Sequence, residues 1–526
     1  MNIALSVCLH ADVTIFIVPK ATVDTVWVDE INAVLKDKVK IWASTHGKKL
    51  TLDCDYYVFH YEALPLAIYL AKHLNAKKPF IGIDESHNFN EISSMRTLRL
   101  IELTRALHCQ HTDWASGTPV KAIGREMIPL LKSIDDMFTP DVEARFKMIY
   151  GASANRANDI LRNRLGLISH KIDEMSYMSV PPPKEIQLKV RIPNGEQFTN
   201  ENIKKEMRKY MEEKFNFYQA NMKKYLAVYD QCISIYERTV RSSTEREELR
   251  KYKEYVAIII KGYVPREHKD IAHFCKSFER TKIMPSLPSP ALRAQFKDAI
   301  SVVKYAQMKV LGESLGMLDH KRSECAGLMI SQGVIQPNPD IDCTTFADIV
   351  HNADKKTIVF SSHIGALVAA DNYFKKEGFK TLQVHGEHTK NLVNIVNQYK
   401  QDPNANPLIT TFQSLSASQT LIVANTMLYL NNPFREYINS QAFHRMFRIG
   451  QDVQTFLIVC SLDTREPNIS TRSDEILAWS KAMAESIMGT SLSDKDMDGI
   501  VRRLHLNPPS SFETAIRLFR DILHLG

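Results

Sequence analysis

Short apolar runs alternate with helical patterns in two separate stretches of the chain, and this alternation restricts its fold more than any other property. In residues 11–180 the strand candidates are Val13–Val18, Tyr56–His60, Phe80–Asp84 and Asp113–Ser116. Helical patterns such as Val26–Leu35 and Leu64–Leu74 lie between them. The same alternation returns at residue 350, with Thr357–Ser361, Thr381–Val384, Leu408–Thr411 and Met427–Leu430 separated by Ile364–Glu377 and Lys390–Tyr399. Parallel strands need long crossovers, and helices supply them, so each stretch predicts a parallel sheet covered by helices.

The region between them, 185–345, has a different period. Ile203, Met207, Tyr210, Tyr218, Met222, Tyr225, Tyr229, Ile233, Tyr236 and Val240 recur three or four residues apart. That spacing predicts one long amphipathic helix, or two in sequence, with the Met/Tyr stripe as core. Thr244 with Glu247 reads as a capping box for the next helix, and Ser289-Pro290 as an N-cap and first helical residue. Residues 466–526 read as helices with a break at Pro508-Pro509.

Bulk properties exclude some classes. The 526 residues are 44% hydrophobic and 24% charged, a balance typical of globular proteins. No run approaches the ~18 apolar residues that span a bilayer. The N-terminal segment lacks a basic start and is interrupted by Asp12, which argues against a signal peptide. The expected compartment is cytoplasm or nucleus, or the host cytoplasm for a viral protein. Eight scattered cysteines without a CxxC pair suit free thiols. His108-Cys109-His111 has metal-like residue types but no second pair to complete a zinc site. The net charge of +7 is compatible with a nucleic-acid partner without establishing one.

Three elements carry chemistry. In Ile81-Gly82-Ile83-Asp84-Glu85-Ser86-His87 an apolar strand ends in two adjacent carboxylates, at the sheet edge where ligands bind. Phosphoryl transfer uses such a pair: one carboxylate holds Mg²⁺, usually through water, and the other orients or deprotonates the attacking water. Taken alone, the pair reads more simply as two solvated acids in a loop. Ala115-Ser116-Gly117-Thr118-Pro119 places small hydroxyls in a tight turn, within reach of a neighbouring carboxylate loop. Gln441-Ala442-Phe443-His444-Arg445-Met446-Phe447-Arg448-Ile449-Gly450-Gln451 carries two arginines three residues apart, on one face if the stretch is helical. The fork-shaped guanidinium suits a γ-phosphate.

In this order, on two α/β domains, these elements resemble the Swi/Snf-like branch of the superfamily-two helicases and translocases. The resemblance extends to Val18-Pro19-Lys20 through Trp27 and Glu30, Tyr61-Glu62, Pro183-Lys184, Thr357–Phe360, Val384–Gly386, and Ala424-Asn425 through Pro433. It implies two RecA-like parallel-sheet lobes, the first N-terminally incomplete, separated by a helical insertion and followed by a helical C-terminal tail. The expected boundaries are 1–184, 185–349, 350–465 and 466–526. It further implies that Asp84 serves Mg²⁺ through water and Glu85 the hydrolytic water. His87, Ser116, Thr118 and Gln441 would couple the state of ATP to DNA contacts. Gln441, Arg445 and Arg448 would close over the nucleotide from the second lobe. DNA would be held mainly by its backbone, largely without sequence preference.

Two departures temper this expectation. No G-x-x-x-x-G-K-[ST] phosphate-binding loop (Walker A) occurs anywhere in the 526 residues, so the chain by itself is expected to bind ATP poorly. An upstream segment or a separate chain would then supply the loop. Before Ala424, the resemblance leads one to expect glycines where the chain has Ser414-Leu415-Ser416-Ala417-Ser418-Gln419-Thr420-Leu421. Glycine permits close backbone approach, so serine there can keep the hydrogen bonding while tight coupling of DNA to ATP is no longer expected. The competing expectation is a non-enzymatic DNA-binding or scaffold protein derived from a truncated motor. A nuclease built on Asp84-Glu85 and His87 lacks the further carboxylates such a metal site would want.

Overall fold

The computed structural model describes residues 2–36, 38–45, 49–108, 111–116, 124–135, 137–150, 157–170, 178–260, 269–386, 391–415 and 420–488. The described residues divide into two compact units, one of residues 2–196 with 322–488 and one of 197–321.

The first unit holds two sheets. The N-terminal sheet comprises β1 (Val13–Val18), β2 (Ile41–Ala43), β3 (Tyr56–His60), β4 (Pro79–Ile83) and β5 (His111–Trp114), in the order β2-β3-β1-β4-β5. Every pairing is parallel. These strands are rich in β-branched and aromatic residues, which pack well on a pleated surface. Their period of two separates two cores. Ile15, Ile17, Tyr57, Phe59, Ile81 and Ile83 pack with Leu64, Leu70, Leu100 and Leu103 of the helices Leu64–His73 and Met95–Ala106. Phe16, Val18, Tyr56, Val58 and Phe80 pack on the opposite face with Ile3, Val23 and Ile31. β5 ends two residues earlier than the sequence predicts. Ala115 leaves the ladder to donate to Ile83 O and accept from Ser86 N, each at 2.9 Å, and so closes the turn around the acid pair.

The second sheet comprises β6 (Lys184–Arg191), β7 (Val334–Ile335), β8 (Lys356–Ser361), β9 (Lys380–Val384), β10 (Ala405–Thr411), β11 (Ala424–Tyr429) and β12 (Phe456–Leu462). Its order is β7-β6-β12-β11-β8-β10-β9, parallel apart from the antiparallel β6–β7 pair. The strand β6 lies in the stretch that the sequence reading assigns to the helical insertion. Ile186, Leu188 and Val190 are buried while their neighbours are exposed, a period of two rather than 3.6. The fold is thus α/β with two parallel-sheet lobes, a helical region between them in sequence, and a helix, Ile469–Met488, after the last strand.

The second unit is helical. Its core is lined by the 40-residue helix Asn200–Thr239, the helices Ser243–Ile260 and Lys269–Phe278, and part of Pro290–Gln332. Ile203, Met207, Tyr218, Tyr229, Ile233 and Tyr236 are buried, as the Met/Tyr stripe predicts. Ser289 Oγ accepts from Leu292 N at 3.1 Å and caps its helix. The capping box before Ser243 uses Ser242 and Glu245 instead of Thr244 and Glu247. Ser242 Oγ accepts from Glu245 N at 3.1 Å, and Glu245 Oε2 accepts from Ser242 N at 3.4 Å, because the helix starts two residues earlier.

Candidate active site

The acid pair follows directly on β4, at the carboxyl edge of the N-terminal sheet. Asp84 N donates to Ile17 O at 3.0 Å, which continues the ladder by one residue. Tyr61 Oη donates to Asp84 O at 2.9 Å. Glu85 then adopts the left-handed conformation, φ 47° and ψ 49°. That conformation is uncommon for a residue with a Cβ and is found where surrounding contacts enforce it. Asn88 provides them, donating from its backbone N at 3.0 Å and from Nδ2 at 2.9 Å to Glu85 O.

Both oxygens of Asp84 are engaged. Oδ1 accepts from Glu85 N at 3.0 Å, and Oδ2 accepts from Trp27 Nε1 at 3.1 Å. Burial raises the Asp84 carboxyl above its ordinary range, while the Trp27 hydrogen bond, the Glu85 N–H and Arg445 draw it back. Burial also raises Glu85, and the charge of Asp84 adds to that. Arg445 and the Gln441 hydrogen bond oppose the rise.

The second lobe reaches this pair through the helix Glu436–Phe443 and the turns after it. Gln441 Nε2 lies 3.4 Å from Glu85 Oε2 and 3.1 Å from His87 Nε2. Asn88 Nδ2 also approaches His87 Nε2, at 3.4 Å. Amide nitrogens only donate, so His87 Nε2 is the acceptor and Nδ1 carries the proton of the neutral ring. Nδ1 in turn lies 3.1 Å from Ser116 Oγ and 3.3 Å from Glu85 Oε2. The buried imidazole therefore links the acid, the hydroxyl turn and the second lobe. The ring of Tyr437 lies 5.6 Å from it, centroid to centroid.

The two arginines part company. The helix ends at Phe443, so Arg445 and Arg448 sit in turns and share no helical face. Arg445 is buried, and its guanidinium interacts electrostatically with both Glu85 and Asp84. Arg448 is exposed and donates from Nη1 to Thr420 Oγ1 at 3.2 Å. Gly450 turns the chain at φ 100°, a conformation open to glycine, and Gln451 anchors the end of the loop. Gln451 Nε2 donates to Ala424 O at 2.8 Å and Met446 O at 3.2 Å, while its Oε1 accepts from Lys355 Nζ at 2.8 Å.

The structure thus brings Asp84, Glu85, His87, Ser116, Gln441 and Arg445 together and leaves Arg448 at the rim. Thr118 lies outside the described residues, as do Gly117, Cys109 and Ser416–Gln419. Sequence reasoning assigns no role to Trp27, Asn88, Lys355 or Gln451. A signal exists for Trp27, because a partly buried indole N–H usually finds an acceptor.

No family model matches the chain. No curated protein matches it. Among solved structures it is similar to the Sulfolobus solfataricus SWI2/SNF2 ATPase core in complex with dsDNA, at 15% identity and a TM-score of 0.30, over 95% of this chain and 88% of that one. It is also similar to the C-terminal part of the Fun30 ATPase domain, at 12% identity and a TM-score of 0.27, over 65% of this chain and 99% of that one.

Proposed function

We propose that this chain is the ATP-hydrolysing core of a DNA translocase or helicase-like motor. The observation that carries the reading is the meeting of Gln441 and Arg445 from the second lobe with Asp84, Glu85 and His87 of the first. In this reading Glu85 orients the attacking water, and Arg445 faces the charge that develops on the transferred phosphoryl group. His87 and Ser116 report the occupancy of the acid pair to the second lobe through Gln441.

The donor set suits Mg²⁺. Among the described residues no three His, Cys, Asp or Glu side chains gather to hold a metal unaided. Mg²⁺ is commonly held by one or two carboxylates, with waters and substrate phosphates completing its octahedron. Asp84 supplies such a carboxylate, and bound Mg²⁺ would neutralise phosphate charge. The phosphate-binding loop would come from an upstream segment or a separate chain. DNA is the partner that the sequence resemblance implies, held through its backbone.

Duplex-DNA binding tests this reading against the scaffold alternative. For the chain joined to a segment bearing G-x-x-x-x-G-K-[ST], the motor reading predicts an affinity that changes between ADP and a non-hydrolysable ATP analogue, and a loss of that difference in Arg448→Ala. Affinity indifferent to nucleotide and to the substitution supports the scaffold.

A further inference from the structure

We propose that Trp27 is a positioning residue that fixes the carboxylate plane of Asp84 for a divalent cation, and that Gly82 and Phe16 seat it. The proposal rests on the reading of Asp84 as the cation-binding carboxylate.

Phe80, Gly82 and Asp84 point to one face of the N-terminal sheet, by the period of two along β4. Gly82 pairs in register with Phe16 on β1. A Cβ at Gly82 would lie 2.6 Å from two ring carbons of Phe16, so the missing side chain is what lets the Phe16 ring lie across β4. The Trp27 ring packs on Phe16 with centroids 4.4 Å apart and planes tilted by 39°. Trp27 itself sits in a π-helical turn, Val23–Val28, ahead of the helix Asp29–Leu35. Such turns displace a side chain from ordinary helical placement and recur at functional sites. The result is an indole N–H aimed at Asp84 Oδ2 at 3.1 Å.

Indole nitrogen is a donor only, so this contact favours the carboxylate over the carboxylic acid. With Oδ1 held by Glu85 N, each oxygen has one fixed hydrogen bond, and its other lone pair is left for a cation or its water. Hydrogen-bond partners of this kind orient metal-binding side chains, and losing one typically weakens metal affinity about 10–100-fold.

The test is the indole N–H spectrum of the full chain labelled at its four tryptophans, with Mn²⁺ as the probe. Trp27→Phe identifies the Trp27 resonance. That resonance is expected to move in Asp84→Asn, which keeps the shape and removes the charge, and to broaden first as Mn²⁺ is added. Trp27→Phe is expected to weaken Mn²⁺ binding about tenfold, read from the paramagnetic signal of free Mn²⁺. Gly82→Ala should move the same resonance with the indole still present, which covers a Trp27→Phe protein that does not fold. A Trp27 resonance unmoved by Asp84→Asn overturns the proposal, as does undiminished Mn²⁺ affinity in Trp27→Phe. A resonance that moves in Asp84→Asn while the wild type binds no Mn²⁺ overturns the cation reading of Asp84 and takes the cation out of the proposal.

Discussion

Gln441 Nε2 bridges Glu85 Oε2 at 3.4 Å and His87 Nε2 at 3.1 Å, so one amide of the second lobe touches an acid and a base of the first. Both of its partners lie within four residues of the carboxyl end of β4. A movement of the Glu436–Phe443 helix is therefore felt directly at the acid pair, and a change in the charge of that pair is felt by the helix.

Glutamine at 85 should stabilise the protein at high pH. Burial first, then the charge of Asp84, holds the Glu85 carboxyl above its ordinary value of 4.5. A raised carboxyl binds its proton more tightly in the folded state. Its contribution is favourable below the unfolded value and is lost as pH rises through the higher folded value. At pH 8 the ionised group opposes folding, and Glu85→Gln removes that opposition. Calorimetry should show a Tm a few degrees above wild type at pH 8, with the difference gone by pH 4. An offset equal at both pH values contradicts the electrostatic account.

Removing the anchor of the arginine loop should cost stability. Gln451 is 2% exposed, and its amide satisfies Ala424 O, Met446 O and Lys355 Nζ. Leucine fills the space and takes the amide donor from Ala424 O and Met446 O, at about 1–3 kcal/mol for each one left unsatisfied and buried, while Lys355 Nζ keeps Ile422 O and Asp452. Gln451→Leu is expected to lower the urea midpoint with an unchanged slope. An unchanged midpoint means that the loop is held by other contacts.

The helical unit contains a buried ion pair whose halves depend on each other. Lys304 Nζ donates to Glu279 Oε1, with the two side chains 1% and 9% exposed, and Tyr252 Oη donates to the same oxygen at 2.6 Å. Lys304→Met strands the carboxylate and should destabilise by about 3–5 kcal/mol, whereas Lys304→Met with Glu279→Leu should recover most of the loss. Chemical denaturation of the three proteins decides this. Losses that simply add deny the coupling.

Strands bounded by polar punctuation are readable in the sequence, and Val13–Val18 and Tyr56–His60 have the same limits in the structure. β6 is harder to find because its partner is distant: Lys184 pairs with Phe456. Its alternation of Ile186, Leu188 and Val190 with charged or polar residues is a signal overshadowed by the long helix beside it. At the site, motif order names Glu85, His87 and Gln441. Their meeting depends on two separate sheets, so no local pattern encodes it. The role of Trp27 is hidden for another reason. It requires a π-helical turn, a glycine on a neighbouring strand and an aromatic ring between them, none of which has a spacing rule.

The most direct measurement of the central claim is DNA-stimulated phosphate release from ATP by the chain joined to an upstream segment bearing G-x-x-x-x-G-K-[ST]. Turnover is expected, with Arg445→Ala reducing it about 10³-fold or more and Glu85→Gln removing it. Residues 1–526 alone should turn over slowly. Turnover that survives both substitutions would contradict a site shared between the acid pair and the second lobe.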